Sequence, residues 1–301
     1  MSELLRLFAE NILPVIVVAG LGFLLRRVLR LDPRPVTAVT FYLFWPALAF
    51  SLLYNTDIEV EGILLMVAFS ATVVLSMAAI GLLLARTLRL EAGLASAFIL
   101  SVGFMNAGNF GLPVTQFAFG QEGLAWATVY FLTMSLLTNS LGAYVAAVGR
   151  QPARTAILGL LRVPAVYAIP AALVVRAVGW ELPVPILRPV NLLADATVPT
   201  MLVLLGMHTA DIRLAGRRSL IALAAGARLA LSPLLALGVA GLFGLVGVAR
   251  QAGVLEAGMP TAVLASILAN RYDSEPEFVA GTVLLSTLLS PITLTVLLAV
   301  L

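Results

Sequence analysis

The chain reads as an all-α integral membrane protein: ten transmembrane helices arranged as two inverted repeats of five. Three observations predict this. Of its 301 residues, 61% are hydrophobic and 11% charged, where soluble domains carry ~25% charged residues; a soluble fold would lack the polar material to cover its surface. Ten apolar stretches each approach the ~20 residues a helix needs to cross ~30 Å of hydrocarbon. Short echoes recur at an offset of about five stretches. The same composition excludes a soluble enzyme, a nucleic-acid binder and a disordered chain. There is no cysteine, one histidine (His208), and every one of the 18 basic residues is arginine. Thiolate nucleophiles, disulfides, iron–sulfur clusters and Cys/His zinc sites within the chain are therefore excluded.

Taken in order, span 1 covers 9–29. No basic region precedes it and no small-residue cleavage site follows, so it is expected to be retained. Span 2 covers 35–54, is kinked at Trp45-Pro46, and leads into a solvated acidic loop of Asp57, Glu59 and Glu61. Span 3 (61–85) holds no acid after Glu61. Span 4 (93–118) contains Asn106-Ala107-Gly108-Asn109-Phe110-Gly111-Leu112-Pro113. Span 5 (123–148) carries Ser135 and Asn139, an i, i+4 polar pair suited to interhelical hydrogen bonding or to lining a cavity. Span 6 (157–178) and span 7 (186–209) have isolated prolines, Pro164 and Pro199, read as kinks. Asp195 is expected at the outer interface of span 7, and His208, one turn before Asp211, at its inner interface. Spans 8 (218–247), 9 (251–271) and 10 (277–301) complete the set.

Arginine placement orients the chain. Loops after odd-numbered spans carry thirteen: Arg26, Arg27, Arg30, Arg34, Arg86, Arg89, Arg150, Arg154, Arg162, Arg213, Arg217, Arg218 and Arg271. The opposite side carries Arg6, Arg176, Arg188 and Arg250. Both termini are expected outside. The Arg-only, Ala/Leu-rich usage fits a GC-rich bacterial genome, so the expected location is the plasma (bacterial inner) membrane.

Trp45-Pro46 through Asn55-Thr56-Asp57-Ile58 is echoed by Val198-Pro199 through Thr209-Ala210-Asp211-Ile212, and Gly111-Leu112-Pro113 by Gly258-Met259-Pro260. The echoes pair span 2 with 7 and span 4 with 9. Because five is odd, residues 151–301 are expected upside down relative to residues 1–150, a ground plan of secondary transporters.

Two amides, two glycines and a proline are costly in an apolar helix: Gly by ~1 and Pro by ~3 kcal/mol. The run in span 4 and Gly258-Met259-Pro260-Thr261 in span 9 therefore predict two breaks at matching positions, the best sequence pointer to a binding site. Unwound backbone at this depth lines a cavity or is buried by protein. Half-helix N-termini present free N–H groups and positive dipole ends, which suit a carboxylate. Asn106 and Asn109 add donors without a fixed charge. Glu256, just before the second break, is the one acid near the expected site and a candidate proton carrier. Arg228 lies about 18 Å along its helix from Gly216. It reads as an interior ion pair or a snorkelling arginine ahead of a counter-ion for substrate, with Asp195 or Glu256 as its partner.

The Asn-x-Gly-Asn-x-Gly-Leu-Pro run resembles the helix 4 signature of the auxin efflux carrier family. The likeness extends to Glu256-Ala257-Gly258-Met259-Pro260-Thr261-Ala262-Val263 and Leu284-Leu285-Ser286-Thr287-Leu288. It implies a plan like that of sodium/proton antiporters and bile-acid symporters, with broken, crossing helices 4 and 9. It also implies a scaffold of spans 1, 2, 6 and 7 that forms a homodimer, and a transport domain of spans 3–5 and 8–10 that moves as an elevator. The family's crossover asparagine would be Asn106 or Asn109, its crossing prolines Pro113 and Pro260. Plant members carry an acid on helix 3 that this chain lacks, so ion coupling does not carry over.

The expected function is secondary transport of small organic anions, such as malate, malonate or auxin-like acids. The expected substrate contacts are Asn106, Gly108, Asn109, Gly111, Pro113, Gly258, Met259, Pro260 and Thr261. Glu256, Arg228, Asn139 and Ser135 are the expected coupling or charge partners. No metal or cofactor is expected beyond H+ or Na+ as coupling ion, and no partner beyond substrate, lipid and a second copy. The alternatives are a cation/proton exchanger, for which span 5 lacks carboxylates, and a transporter-like sensor or channel. An intramembrane enzyme is not expected, since no nucleophile–base pair can be assembled.

Overall fold

In the computed structural model, which describes residues 3–56, 58–147, 164–212 and 216–301, the described residues form helices joined by short connections, with no strand. We number them α1 (Glu3–Leu29), α2 (Pro33–Asn55), α3 (Val60–Thr87), α4 (Ala92–Gly103), α5 (Ala107–Ala146), α6 (Ala165–Ala177), α7 (Val184–Ala210), α8 (Arg218–Leu242), α9 (Gly247–Ala257), α10 (Val263–Arg271) and α11 (Pro276–Val300). Seven of these, α1, α2, α3, α5, α7, α8 and α11, are long and apolar enough to cross a membrane. Large apolar side chains such as Leu192 (72% exposed) and Ile292 (67%) face outward, as a surface solvated by lipid requires. Asp57, Arg150, Arg154, Arg162, Arg213 and the start of span 6 lie outside the described residues.

Local sequence explains most of the ends. Asp32 caps α2 by accepting from the Arg34 N–H at 3.1 Å, with proline at the first turn, where a missing N–H costs nothing. Hydrogen bonds from Arg34 hold the Asp32 carboxyl below its usual range. At 40 residues, α5 is ~60 Å long by helical rise, twice the hydrocarbon thickness. It turns at Gly120, whose φ of 65° and ψ of −155° no helix contains and only glycine adopts readily.

Packing sorts the helices into two groups. The α1–α7 pairing is the most extensive, and α2 packs on both α6 and α7. Gly206 lies so close to Ala19 and Phe23 of α1, and Gly22 to Val203, that a Cβ at either would collide with backbone. Small residues allow such approach where hydrocarbon gives no hydrophobic drive between helices. The Arg26–Asp211 ion pair (2.6 Å) ties the C-terminal end of α1 to the C-terminal end of α7. In the other group α3 packs on α4 and α5, α9 on α5, α8 on α9 and α11, and α10 on α11.

The two groups meet where α2 and α7 lie against α5, and where α1 lies against α5 and α11. At that boundary two helical paths are interrupted. α4 stops at Gly103 and resumes as α5 at Ala107, while α9 stops at Ala257 and resumes as α10 at Val263. The first interruption therefore falls at Phe104-Met105-Asn106, ahead of where the Gly/Pro density of the sequence placed it. Pro113 comes instead after the π turn that opens α5, as the second residue of the α-helical stretch Leu112–Leu137. Gly108 and Gly111 lie in the π turn Ala107–Gly111 that begins α5. Their role is close packing: a Cβ on Gly108 would meet the Phe131 ring at 2.7 Å, and one on Gly111 would strike the Glu256 carboxylate.

Candidate functional site

The two interruptions are joined to each other. Met105 and Thr261 form an antiparallel bridge, in which the Asn106 N–H donates to the Pro260 carbonyl (2.7 Å) and the Ala262 N–H to the Phe104 carbonyl (3.0 Å). Backbone that leaves a helix inside hydrocarbon must find partners, and here each break supplies the other's. Side chains complete the pairing. Thr261 Oγ1 donates to the Ser101 carbonyl at 2.9 Å, and the Thr261 N–H donates to Ser286 Oγ at 3.1 Å.

A cavity of about 140 Å³ opens beside this bridge. One wall is the first turn of α5, with Asn106, Gly108 and Asn109, and the first turn of α10, with Ala262, Val263 and Leu264. Both are helix N-termini, so their free N–H groups and positive dipole ends face one space. The first bond closing the α5 turn runs from Gly111 N–H to the Asn106 carbonyl (3.0 Å), which leaves the N–H groups before Gly111 without helical partners. The opposite wall comes from α2 and α7, with Thr37, Thr40, Phe41, Trp45, Leu204 and His208, and the sides from Phe131, Met134, Ser135, Asn139 and Ile267. Apart from one imidazole, nothing in this lining is ionisable.

Three buried nitrogens of the lining have no partner among the described residues: Asn106 Nδ2, Trp45 Nε1 and His208 Nδ1. Each such group costs about 1–3 kcal/mol until something accepts from it. His208 Nε2 lies 3.4 Å from Thr37 Oγ1. His208 is a wall residue of the cavity, near the end of α7. Both Ser135 and Asn139 line the cavity, and the bond they share, Asn139 Nδ2 to the Ser135 carbonyl (2.8 Å), lies within α5 and not between helices, so of the two roles the sequence left open the pair takes the second.

Of the nine expected contacts, Asn106, Gly108 and Asn109 line the cavity. Gly111, Pro113, Gly258, Met259, Pro260 and Thr261 do not; Pro260 and Thr261 build the bridge, while Gly111 packs on Glu256 and Gly258 on Leu297. Glu256 is fully buried outside the cavity, where its Oε1 accepts from Thr115 Oγ1 (3.0 Å) and its Oε2 has no partner. Arg228 is fully buried as well, and among the described residues it pairs with no carboxylate. Its Nη1 donates to the Val102 carbonyl (2.9 Å) and its Nη2 to the Ala257 carbonyl (2.5 Å), which corrects the reading of an ion pair with Asp195 or Glu256 or a snorkelling side chain. Buried carbonyls at helix ends need donors as much as acids need counter-ions.

Sequence reasoning missed the α2 wall, Thr37 to Trp45. Its signal is conformational: four of the five described π turns carry a cavity or crossover residue, namely Thr40 and Phe41, Gly108 and Asn109, Asn139, and Arg228. Such turns frequently mark functional sites. A second cavity, about 260 Å³, lies along the other halves of α2 and α7 and is lined by Ser51, Gln116, Gln121, Asp195 and apolar neighbours. Asp195 thus faces this second space.

Comparison with known proteins agrees with this architecture. The family described as "Membrane transport protein" matches residues 7–145 and 147–298. An "Uncharacterized transporter" of Methanothermobacter thermautotrophicus is 30% identical over 293 residues, covering 95% of both chains. A "Putative malonate transporter" of Rhizobium meliloti is 29% identical over 271 residues, covering 84% of this chain and 82% of the relative. An "Uncharacterized transporter" of Methanocaldococcus jannaschii is 26% identical over 189 residues, covering 62% and 61%.

Proposed function

We propose, from the premise that this chain belongs to the membrane transport protein (auxin efflux carrier) family, that it is a secondary carrier of small organic anions. The observation that carries the reading is the cavity at two converging helix N-termini, walled by neutral donors. Positive dipole ends and unpartnered N–H groups favour a carboxylate. A cation exchanger needs a carboxylate in its path, and none lines this cavity. The apolar remainder of the wall suits a short hydrocarbon body. The relative named for malonate is in keeping with an acid of this size.

The chain plan is ten spans in two inverted halves, 1–150 and 151–301. The Gly120 turn divides α5 between spans 4 and 5, α4 supplies the first half of span 4, and α9 with α10 make span 9. One contact between equivalent positions supports the inverted relation: Thr197 Oγ1 donates to the Phe44 carbonyl at 3.1 Å, and these two residues are paired by the same echo that pairs Pro46 with Pro199. The α1, α2, α6, α7 group is the scaffold, through which two copies pair, and the remaining helices are the transport domain. Arginine asymmetry places the first cavity toward the cytoplasm and both termini outside, in the plasma (bacterial inner) membrane. The second cavity is then the outward counterpart, and transport is an elevator-like slide of α5 and α10 past α2 and α7.

The test is flux into proteoliposomes of malate, malonate, citrate, acetate and indole-3-acetate. Saturable, counterflow-competent uptake of one acid, lost in Asn109→Ala, is expected. Folded wild-type protein that moves none of them would refute the anion-carrier reading.

A further inference from the structure

The two helices that run into the breaks, α4 and α9, end close together, and each ends with carbonyls its own helix cannot satisfy. A single guanidinium serves both: Arg228 donates to the Val102 and Ala257 carbonyls at 2.9 and 2.5 Å. Ser232, one turn further along α8, donates a second bond to the Ala257 carbonyl at 2.7 Å. Arg228 has no accessible surface, and it lines neither cavity.

A buried arginine without a carboxylate is expensive in hydrocarbon. Each helix C-terminus, however, carries the equivalent of about half a negative charge. Two of them on one guanidinium amount to about one counter-charge, delivered by dipoles instead of an acid. In carriers built on broken helices, free carbonyls at half-helix C-termini are the ligands of a coupling cation. Here a side chain already occupies those ligands.

We infer that Arg228 is a tethered resident cation of the crossover. It fills the place of a dissociable small cation such as Na+, and it neutralises the negative half-helix ends so that the neighbouring cavity experiences mainly the positive ones. Arg228 is accordingly a positioning residue. It sets the field at the anion site without touching the anion, and the carrier has no requirement for Na+. The flux arm of the test rests on the carrier reading; the stability arm does not.

Arg228→Ala leaves a guanidinium-shaped gap between two fixed carbonyls. Purified Arg228→Ala protein is expected to melt below wild type and to recover with millimolar guanidinium, too dilute to denature, but not with the same concentration of urea. Hydrogen bonds to a charged group are worth enough that flux should fall about tenfold or more, recover partly with guanidinium, and become stimulated by Na+. Arg228→Lys keeps the charge but not the fork and should fall between the two. Wild-type flux should be equal in sodium and choline salts.

Arg228→Ala that matches wild type in melting and flux would overturn the inference, as would a defect that neither guanidinium nor Na+ repairs. If the alanine variant cannot be purified, the lysine variant and the wild-type sodium comparison decide. Wild-type flux that falls several-fold without Na+ overturns the proposal. Absence of any wild-type flux sinks the carrier reading instead and leaves guanidinium-specific stabilisation to judge this one.

Discussion

Asn106→Ala separates binding from folding at the crossover. Asn106 is 5% exposed, and its Nδ2 is one of the unpartnered donors of the cavity. Its backbone does different work: the N–H donates to the Pro260 carbonyl and the carbonyl accepts from Gly111 N–H. Alanine keeps both backbone bonds, so the break and the bridge survive. What is lost is a neutral donor to an anion, an interaction of about 1.5–3 kcal/mol, or about 10- to 150-fold in affinity. Because Nδ2 has no partner among the described residues, removing it should not lower folding stability and should raise it by up to about 1–3 kcal/mol. The assay is uptake kinetics of the best acid in proteoliposomes, with thermal melting in detergent alongside. A contact made equally in ground and transition states raises KM and spares kcat. Wild-type KM in a folded Asn106→Ala protein would refute the placement of the anion at this turn. Asn106→Asp should abolish uptake, because it sets a carboxylate against the substrate.

Other outcomes follow from named contacts. Gly111→Ala drives a Cβ into the Glu256 carboxylate and should cost about 1–3 kcal/mol by overpacking, read as a lowered melting temperature. Thr115→Val removes the hydrogen bond to Glu256 and should cost a similar ~1–3 kcal/mol by leaving another buried polar atom unpaired. Glu256→Gln keeps an acceptor for Thr115 and should fold within about 1 kcal/mol of wild type; it should also erase any response of flux to a proton gradient, and a retained response would remove Glu256 from coupling. Asp211→Ala breaks an ion pair whose carboxylate side chain is 58% exposed and should cost no more than ~1 kcal/mol, whereas Gly206→Val should prevent stable α1–α7 packing and be seen as loss of monodisperse protein.

Each level of structure left a different trace in the sequence. Membrane residence, the helical class and the approximate spans follow from composition and run length, because lipid forces every crossing segment to be apolar and to satisfy its own backbone. That two helices would break, and that Asn106, Gly108 and Asn109 would line a cavity, was legible because amides and glycines are costly there without a purpose. Which atoms meet was not legible, since it depends on the rotation of helices packed across more than a hundred residues of sequence. The break came three residues or so ahead of the Gly/Pro density because it falls where the second break supplies backbone partners, at Phe104 to Asn106, while Gly108 and Gly111 serve close packing in the turn beyond. Pro260 and Thr261 turned out to build the bridge while Ala262 to Leu264 form the wall, an exchange of one helical turn that sequence spacing cannot resolve. Arg228 looked like half of an ion pair, since sequence displays acids but not the free carbonyls at helix ends. His208 and the α2 wall joined the site only because α2 and α7 lie against α5. The sequence by itself determined where this chain resides and where its helices fail; the tertiary structure alone decided what those failures face, because a cavity is made by surfaces from separate segments and belongs to none of them.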